Sequence, residues 1–475
     1  MPPLVASSRS FQPRTTLLVL LLAVFAFALL QSLINPVLPA LQEDLDTTQN
    51  LIAWVMTAFL LSASVCTPVV GRLGDRYGKD RVLVASLIAL AAGAVVSATA
   101  PDISLMLAGR VVQGVGGGVL PLTFGIIRDE LPREKTPGAI GVAAALAAVG
   151  GGVGVVVAGP LTDAFGIRSL FWIPAALIVV AAVASRVVVP PSPARNPTPV
   201  SWLATVLMAG WLVALLVPLA QASRWGWTSP AVIVPFLGAA ALATGWVVVE
   251  KRSDRPLIDM RMLRSTAVWT TNLVSLLFGV SLFAVMAFLP IFVQTPPQAG
   301  YGFGASVTQA GLLLLPMTVT MFLAGLGSAR LAGRFGARQV LVTASALNVV
   351  AVVALAVEHD RRWQIAAALA LMGVSLGIAF STMSNVIVAA VRPDQTGVAN
   401  GVTANVRTIG GSVGVAVMSG ILGAHTPADG LPSESGYTYG FAVLAVAGVA
   451  ALLVASLIPV PKPGATTQGP AVPSG

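Results

Sequence analysis

Runs of about 20 apolar residues, broken by short segments that hold nearly all of the charge, recur fourteen times along this 475-residue chain. Six runs lie within 15–189, two within 200–249 and six within 266–460. Each is long enough to cross a bilayer as an α-helix, and none alternates a wet face with a dry one as a helix of a soluble protein must. The pattern predicts an all-α integral membrane protein. The first run, near 15–40, has no small-residue cleavage site and is followed by many like it, so it reads as a crossing helix and not as a cleaved leader.

The order of the runs contains a repeat. The charged segment from Gly71 to Arg81 lies between two apolar runs, and a similar phrase returns from Ala329 to Arg338. Gly78 and Gly336 stand 258 positions apart, while Thr136, Gly141, Gly150, Gly151 and Gly154 recur 260 positions later as Thr396, Gly401, Gly410, Gly411 and Gly414. Near-equal offsets from separate segments predict two six-helix pseudo-repeats. The expected units are a bundle over 1–190, an inserted helix pair with its linkers over 191–265, a second bundle over 266–460, and a Pro/Gly-rich, disordered tail over 461–475.

Composition adds exclusions. Apolar residues make up 56% of the chain and charged residues 9%. Lys and Arg concentrate on alternate connecting segments, with only Arg168, Arg224, Arg361 and Arg362 on the others, which places both termini in the cytoplasm by the positive-inside rule. The basic balance therefore reports topology and not a nucleic-acid partner. Abundant Ala, Val and Gly with little Lys point to a GC-rich bacterial source. The single cysteine, Cys66, excludes an intramolecular disulfide and a cysteine metal cluster. No embedded group of carboxylates, His or Cys offers acid–base, nucleophilic or metal chemistry, which argues against an enzyme.

Two charges remain inside apolar runs, Arg110 and Arg407. A guanidinium at mid-membrane costs at least about 2.5–3.5 kcal/mol on insertion scales, so each needs a partner or a water-filled cavity. Gln113 lies one turn from Arg110 on the same face. A structural Arg bonded to carbonyls of helix 1 is the alternative for Arg110, and attraction of an anionic substrate group is one for Arg407. Substrate contacts are expected from Gln31, Asn35, Gln113, Asn272, Phe283 and Met286, and from Met317, Met321, Phe322, Phe380, Met383 and Arg407, all on helices that would line the gap between the halves. Each of these aromatics and methionines can equally be core. With no embedded acid, a neutral or anionic substrate is favoured over a cationic one.

The fourteen runs, the Gly71–Arg81 segment and helices 4 and 5 together resemble the major facilitator superfamily, in particular its fourteen-helix drug:proton antiporters. That family's loop pattern, Gly-x3-Asp-Arg-x-Gly-Arg/Lys-x-Arg/Lys, is matched by Gly71, Asp75, Arg76, Gly78, Lys79 and Arg81. The resemblance implies that Asp75 accepts hydrogen bonds from the N-terminus of a helix in the other half, here helix 13 starting near Thr396, and so latches the cytoplasmic side. It implies a proton-coupling role for Arg110. The helix 5 antiporter signature Gly-x3-Gly-Pro-x2-Gly-Gly appears as Gly150-x3-Gly154-Val155-x2-Ala158-Gly159 followed by Pro160, with the glycine spacing kept and the internal Pro lost. Close helix packing explains such glycines without any export function. The helix 1 Asp of the family is Leu30 here, and every acidic residue lies in a loop or near a helix end, so coupling would use Asp75, Asp163, Glu43 or a route through Arg110. His359 and His425 are expected to be solvated in outer loops.

These readings converge on a monomeric, proton-driven exporter of amphipathic drug-like compounds with no cofactor or metal and with lipid as its solvent. A proton-coupled importer of a metabolite is the alternative on the same fold. A non-transporting scaffold is the alternative outside it.

Overall fold

The computed structural model describes residues 13–132, 134–192, 201–253, 256, 258–392, 395–427 and 432–459. Among them, fourteen helices are long and apolar enough to cross a membrane. We number them α1 (Pro13–Leu33), α2 (Gln49–Tyr77), α3 (Lys79–Thr99), α4 (Ile103–Glu130), α5 (Thr136–Phe165), α6 (Ser169–Val188) and α7 (Trp202–Trp225), followed by α8 (Pro230–Arg252), α9 (Thr266–Gln294), α10 (Val307–Phe335), α11 (Ala337–Val357), α12 (Arg362–Ala390), α13 (Thr396–Ala424) and α14 (Glu434–Ala455). The described residues outside them lie in turns, irregular connections, short 3-10 segments or one of two short helices, Leu38–Asp44 and Met260–Arg264. Helices satisfy their own backbone, which the hydrocarbon interior of a bilayer requires. The tail expected over 461–475 lies outside the described residues.

Several boundaries differ from the sequence reading, among them three that change the picture. The first run does not continue to residue 40, because α1 ends at Leu33 and the chain turns through Asn35–Val37 into Leu38–Asp44. The last helix, Glu434–Ala455, ends five residues before the limit of 460 read for the final run. The segment Gly71–Arg81 is not a loop. Helix α2 runs through it to Tyr77, α3 begins at Lys79, and the break is Gly78 alone, held at φ 100°. Gly336 does the same between α10 and α11 at φ 84°. Only glycine adopts this backbone without strain, so one residue suffices to reverse the chain. Charge density suggests a loop, whereas the helices simply extend past the apolar layer.

The pseudo-repeat is visible in matched contacts. Within the first half, Gly150 and Gly154 of α5 lie against the carbonyls of Phe25 and Leu29 in α1. Within the second, Gly410 and Gly414 of α13 lie against the carbonyls of Leu276 and Val280 in α9, the glycines 260 and the carbonyls 251 positions further on. Between the halves, Gly401 of α13 faces the Thr67 carbonyl of α2 and Gly141 of α5 faces the Gly325 carbonyl of α10, again as counterparts. Each half has its own apolar core, and Val155 of α5 and Val388 of α12 each reach into the core of the opposite half.

The inserted pair α7–α8 occupies the seam. Its Met208, Leu212 and Trp246 pack with Ile387 of α12 and Val398 of α13, and with Val65, Val69 and Leu73 of α2, so it covers the place where α2 crosses α13.

Candidate functional site

A cavity of about 310 Å³ lies between the two halves. Helices α1, α2, α4 and α5 form one wall and α9, α10, α12 and α13 the other. Its volume is at the small end of ligand sites, and its surface is mainly aromatic, aliphatic and thioether. Of the expected substrate contacts, Gln31, Phe283 and Met286 line it, as do Met317, Met321, Phe380 and Arg407. The others do not. Gln113 is fully buried behind α2. Asn272 accepts a hydrogen bond from the Thr403 hydroxyl at 2.8 Å and so joins α9 to α13. Met383 is core, Phe322 is half-buried away from the cavity, and the Asn35 side chain lies outside the described residues. Helical spacing tells which residues share a face but not which neighbour that face meets.

Arg110 is completely buried. Its Nε donates to the Val55 carbonyl of α2 at 2.9 Å, its Nη1 donates to Gln113 Oε1 at 2.7 Å, and the guanidinium sits 4.7 Å over the Phe59 ring. Gln113 in turn donates to the Gly93 carbonyl and to Ser97 Oγ of α3, at 3.1 and 2.9 Å. The carbonyl partner is therefore on α2 and not on helix 1. Arg110 does not line the cavity, yet Met56 and Phe59, which it touches, do. The Gly114–Gly118 turn of 3-10 helix inside α4 lets α4 approach Ser62, Ala63 and Val70 of α2 closely enough for this contact.

At the end carrying Gly78 and Gly336, which we call the basic end, the two halves touch. Gly71 of α2 lies against the backbone of Gly397 and Val398, where an added Cβ would stand 3.1–3.2 Å from main-chain atoms. Asp75 is 3% exposed, and a Cβ at Gly397 would stand 3.8 Å from its Oδ1, which places the carboxylate at the first turn of α13. Arg128 at the end of α4 donates to Thr396 Oγ1 and, at 3.1 Å, to the Val391 carbonyl. Asn385 donates to the Pro137 carbonyl at 3.3 Å. Beside this contact Lys79 and Asp129 form an ion pair at 2.6 Å with both side chains 4% exposed. Arg76 lies over the Tyr77 ring and Arg81 begins the surface of α3, so neither belongs to the contact.

Sequence reasoning misses Arg128, the Lys79–Asp129 pair and Ser64 as cross-helix partners. Asp129 and Arg128 lie in a short charged segment, and nothing in the spacing tells a buried end from a wet one.

The helix 5 glycines are packing contacts. Gly150 and Gly154 seat α1, Ser32 Oγ donates to the Gly150 carbonyl at 3.1 Å, and Gly152 and Gly159 face Thr318 and Thr308 of α10. Pro160 continues the helix near its end. Asp163 is exposed near the α5 terminus and Glu43 is exposed on Leu38–Asp44, so neither meets the cavity. The histidines are not simply solvated. His359 is 7% exposed, with Nδ1 2.9 Å from the Leu355 carbonyl and Nε2 3.0 Å from Glu434 Oε1, and His425 is half-buried with its ring against Tyr439.

A family model described as the Major Facilitator Superfamily matches residues 20–415 and, in a second match, 295–474. The chain belongs to the Major Facilitator Superfamily. This is a family of membrane transporters, not of enzymes, and its fold is the one described above. Over 415 residues the superfamily member is 29% identical to an uncharacterized MFS-type transporter of Mycobacterium tuberculosis strain H37Rv, an alignment covering 85% of this chain and 58% of that protein. It is 28% identical over 417 residues to a probable actinorhodin transporter of Streptomyces coelicolor, covering 84% and 71%. It is 27% identical over 434 residues to the tetracenomycin C resistance and export protein of Streptomyces glaucescens, covering 90% and 79%. The chain thus spans 58% of the length of the first of these curated relatives. Among solved structures, the human organic anion transporter MFSD10 (TETRAN) superposes with a TM-score of 0.69 over 96% of this chain and 100% of its own, at 17% identity, a likeness of fold.

Proposed function

We propose that this superfamily member exports small amphipathic organic compounds across a bacterial cell membrane by alternating access, driven by the proton gradient. The observation that carries the reading is the aromatic- and methionine-rich cavity at the interface of two repeats that touch at the basic end. The names of the Streptomyces relatives, which are transport, export and resistance proteins for antibiotics, favour export of such compounds. With the basic end in the cytoplasm, as the distribution of Lys and Arg favours, the arrangement is closed toward the cytoplasm. Rocking of the halves about the α2–α13 and α5–α10 crossings would open that side.

Within this mechanism Asp75 is the latch. Its carboxylate at the first turn of α13 adds about 0.3–2 kcal/mol to the closed state through the helix dipole. Asp75→Asn is expected to raise the population open at the basic end roughly 2- to 30-fold. Accessibility of cysteines introduced there, with Cys66 replaced, measures it, and unchanged accessibility removes Asp75 from this role.

Proton coupling is assigned to the Arg110–Gln113 pair, with Asp75 and Asp163 as the further carboxylates available. Because Arg110 holds Met56 and Phe59, a change in its bonding would reshape the cavity wall. The test uses everted membrane vesicles with an acid lumen, to which cationic, neutral and anionic amphipathic compounds are added singly. Proton release triggered by one of them, and reduced at least about tenfold in Arg110→Ala, is the expected result, since Gln113 Oε1 and the Val55 carbonyl would each lose a buried donor. Release of a preloaded compound from the lumen together with protons would mean import and overturn the reading, as would silence toward the whole panel.

A further inference from the structure

The ionisable side chains around the cavity reduce to one. Arg407 of α13 lines it, half-buried, with its guanidinium 4.6 Å over the Phe380 ring, and no other lining residue carries a charge. Among the described residues its side chain makes no hydrogen bond and no ion pair. This differs from Arg110, whose donors meet the Val55 carbonyl, Gln113 and Met56. A guanidinium stays charged at any pH a cell meets, so it cannot discard its charge to suit an apolar wall.

One further polar side chain lines the same space without a protein partner. Gln31 of α1 lines it, and its amide has no protein hydrogen bond among the described residues. Ser64 of α2 also lines the cavity, but its hydroxyl, unsatisfied among the described residues, has almost no accessible surface of its own. The Asn405 side chain, two residues before Arg407, donates to the Ser64 carbonyl and so ties α13 to α2. Polar groups shut off from water are ordinarily satisfied, so an unpaired guanidinium and an unpaired amide on one cavity mark the place where a ligand supplies the partners.

We propose that the substrate of this transporter is an amphipathic organic acid, an aromatic or polycyclic body whose carboxylate or equivalent acid group is held by Arg407. A planar guanidinium fork matches a carboxylate with two parallel N–H···O bonds. The apolar body would lie on Phe380, Phe283 and Phe59 and against the methionines. An amine-bearing analogue meets the same Arg407 as a repulsive charge, so the residue selects against cations as well as for anions. The proposal rests on the transport reading for calling the ligand a substrate, while the binding chemistry rests on the cavity alone.

The test is equilibrium binding to the full chain in lipid nanodiscs with no gradient, using anthracene-9-carboxylate, anthracene-9-carboxamide and 9-(aminomethyl)anthracene as matched fluorescent probes. The carboxylate is expected to bind at least about tenfold more tightly than the carboxamide, with the amine weakest, because a charge-assisted pair is stronger than a neutral hydrogen bond. Arg407→Gln should erase the carboxylate preference while leaving carboxamide binding within about threefold, which also shows that the variant is folded. Arg407→Lys should keep part of the preference, since the charge remains while the two-pronged geometry is lost. Equal binding of acid and amide by the unaltered protein, an acid preference that survives Arg407→Gln, tightest binding of the amine, or no binding of any probe each overturns the proposal. A carboxylate that binds as expected but is never moved into everted vesicles would instead count against export and leave the anion site standing.

Discussion

Replacing Asp129 with Ala is expected to destabilise the protein by about 3–5 kcal/mol. Lys79 and Asp129 are joined at 2.6 Å and each is 4% exposed, so the ammonium has little water to turn to. Its methylenes are packed over Gly125, where an added Cβ would stand 2.8–2.9 Å from Cδ and Cε, and that packing holds the charged end inside. Removing the carboxylate leaves a buried ammonium without its counter-charge, and the penalty is the desolvation of that ion and not the modest net worth of the pair. The double replacement Lys79→Met with Asp129→Leu should therefore recover most of the loss. Thermal unfolding in a fixed detergent, with chemical denaturation for the free-energy scale, measures both. A loss below about 1 kcal/mol would mean that the pair behaves like an exposed ion pair and is hydrated in the working protein.

The second large effect is expected at the α9–α13 crossing. Gly414→Ala places a methyl group into the Val280 carbonyl, and Gly410→Ala does the same at Leu276. The obstacle is backbone in both cases, so one helix must move away from the other along the seam that also carries Arg407. The cost is expected to reach about 1–3 kcal/mol or more for each. The counterpart in the first half is softer, since a Cβ at Gly154 first meets the Ser32 hydroxyl, a side chain able to rotate, with the Leu29 carbonyl at 3.1 Å. Gly151 has nothing within 4 Å of an added Cβ, and Gly151→Ala should be near neutral. The expected order of folded yield and of unfolding temperature is Gly151→Ala above Gly154→Ala above Gly414→Ala. Equal behaviour of the first and last would show that the crossing is looser than the packing implies.

Much of the architecture is legible in the sequence. The number of crossing helices and the pairing of halves follow from apolar runs and glycine offsets, and the contacts of Gly150 with Phe25 and of Gly410 with Leu276 repeat one packing in both halves. Arg110 with Gln113 is also recognisable, since two polar residues one turn apart in an apolar helix have few ways to be accommodated. The Gly71–Arg81 segment reads as a loop although it is helical, because charge marks where a chain leaves hydrocarbon and not where a helix ends. His359 escapes sequence reasoning because its environment comes from Glu434 and Phe292, 75 and 67 positions away. The cavity wall is half legible. Gln31, Phe380 and Arg407 line it, while Asn272 and Met383 face neighbouring helices.

Composition and spacing suffice to say that this chain crosses a membrane as two related bundles, because a bilayer penalises every unpaired backbone group and every stray charge and so leaves apolar helices as the workable solution. They also suffice to place a single arginine in the middle of α13 without an acid on its own helix to balance it. Which helix each polar face meets is set only when the helices pack. Asn405 against the Ser64 carbonyl, Arg110 behind Phe59, and Arg128 against Thr396 are contacts between segments tens to hundreds of positions apart. Their specificity comes from glycines that let backbones touch, and a contact surface of that kind exists only after the helices are side by side.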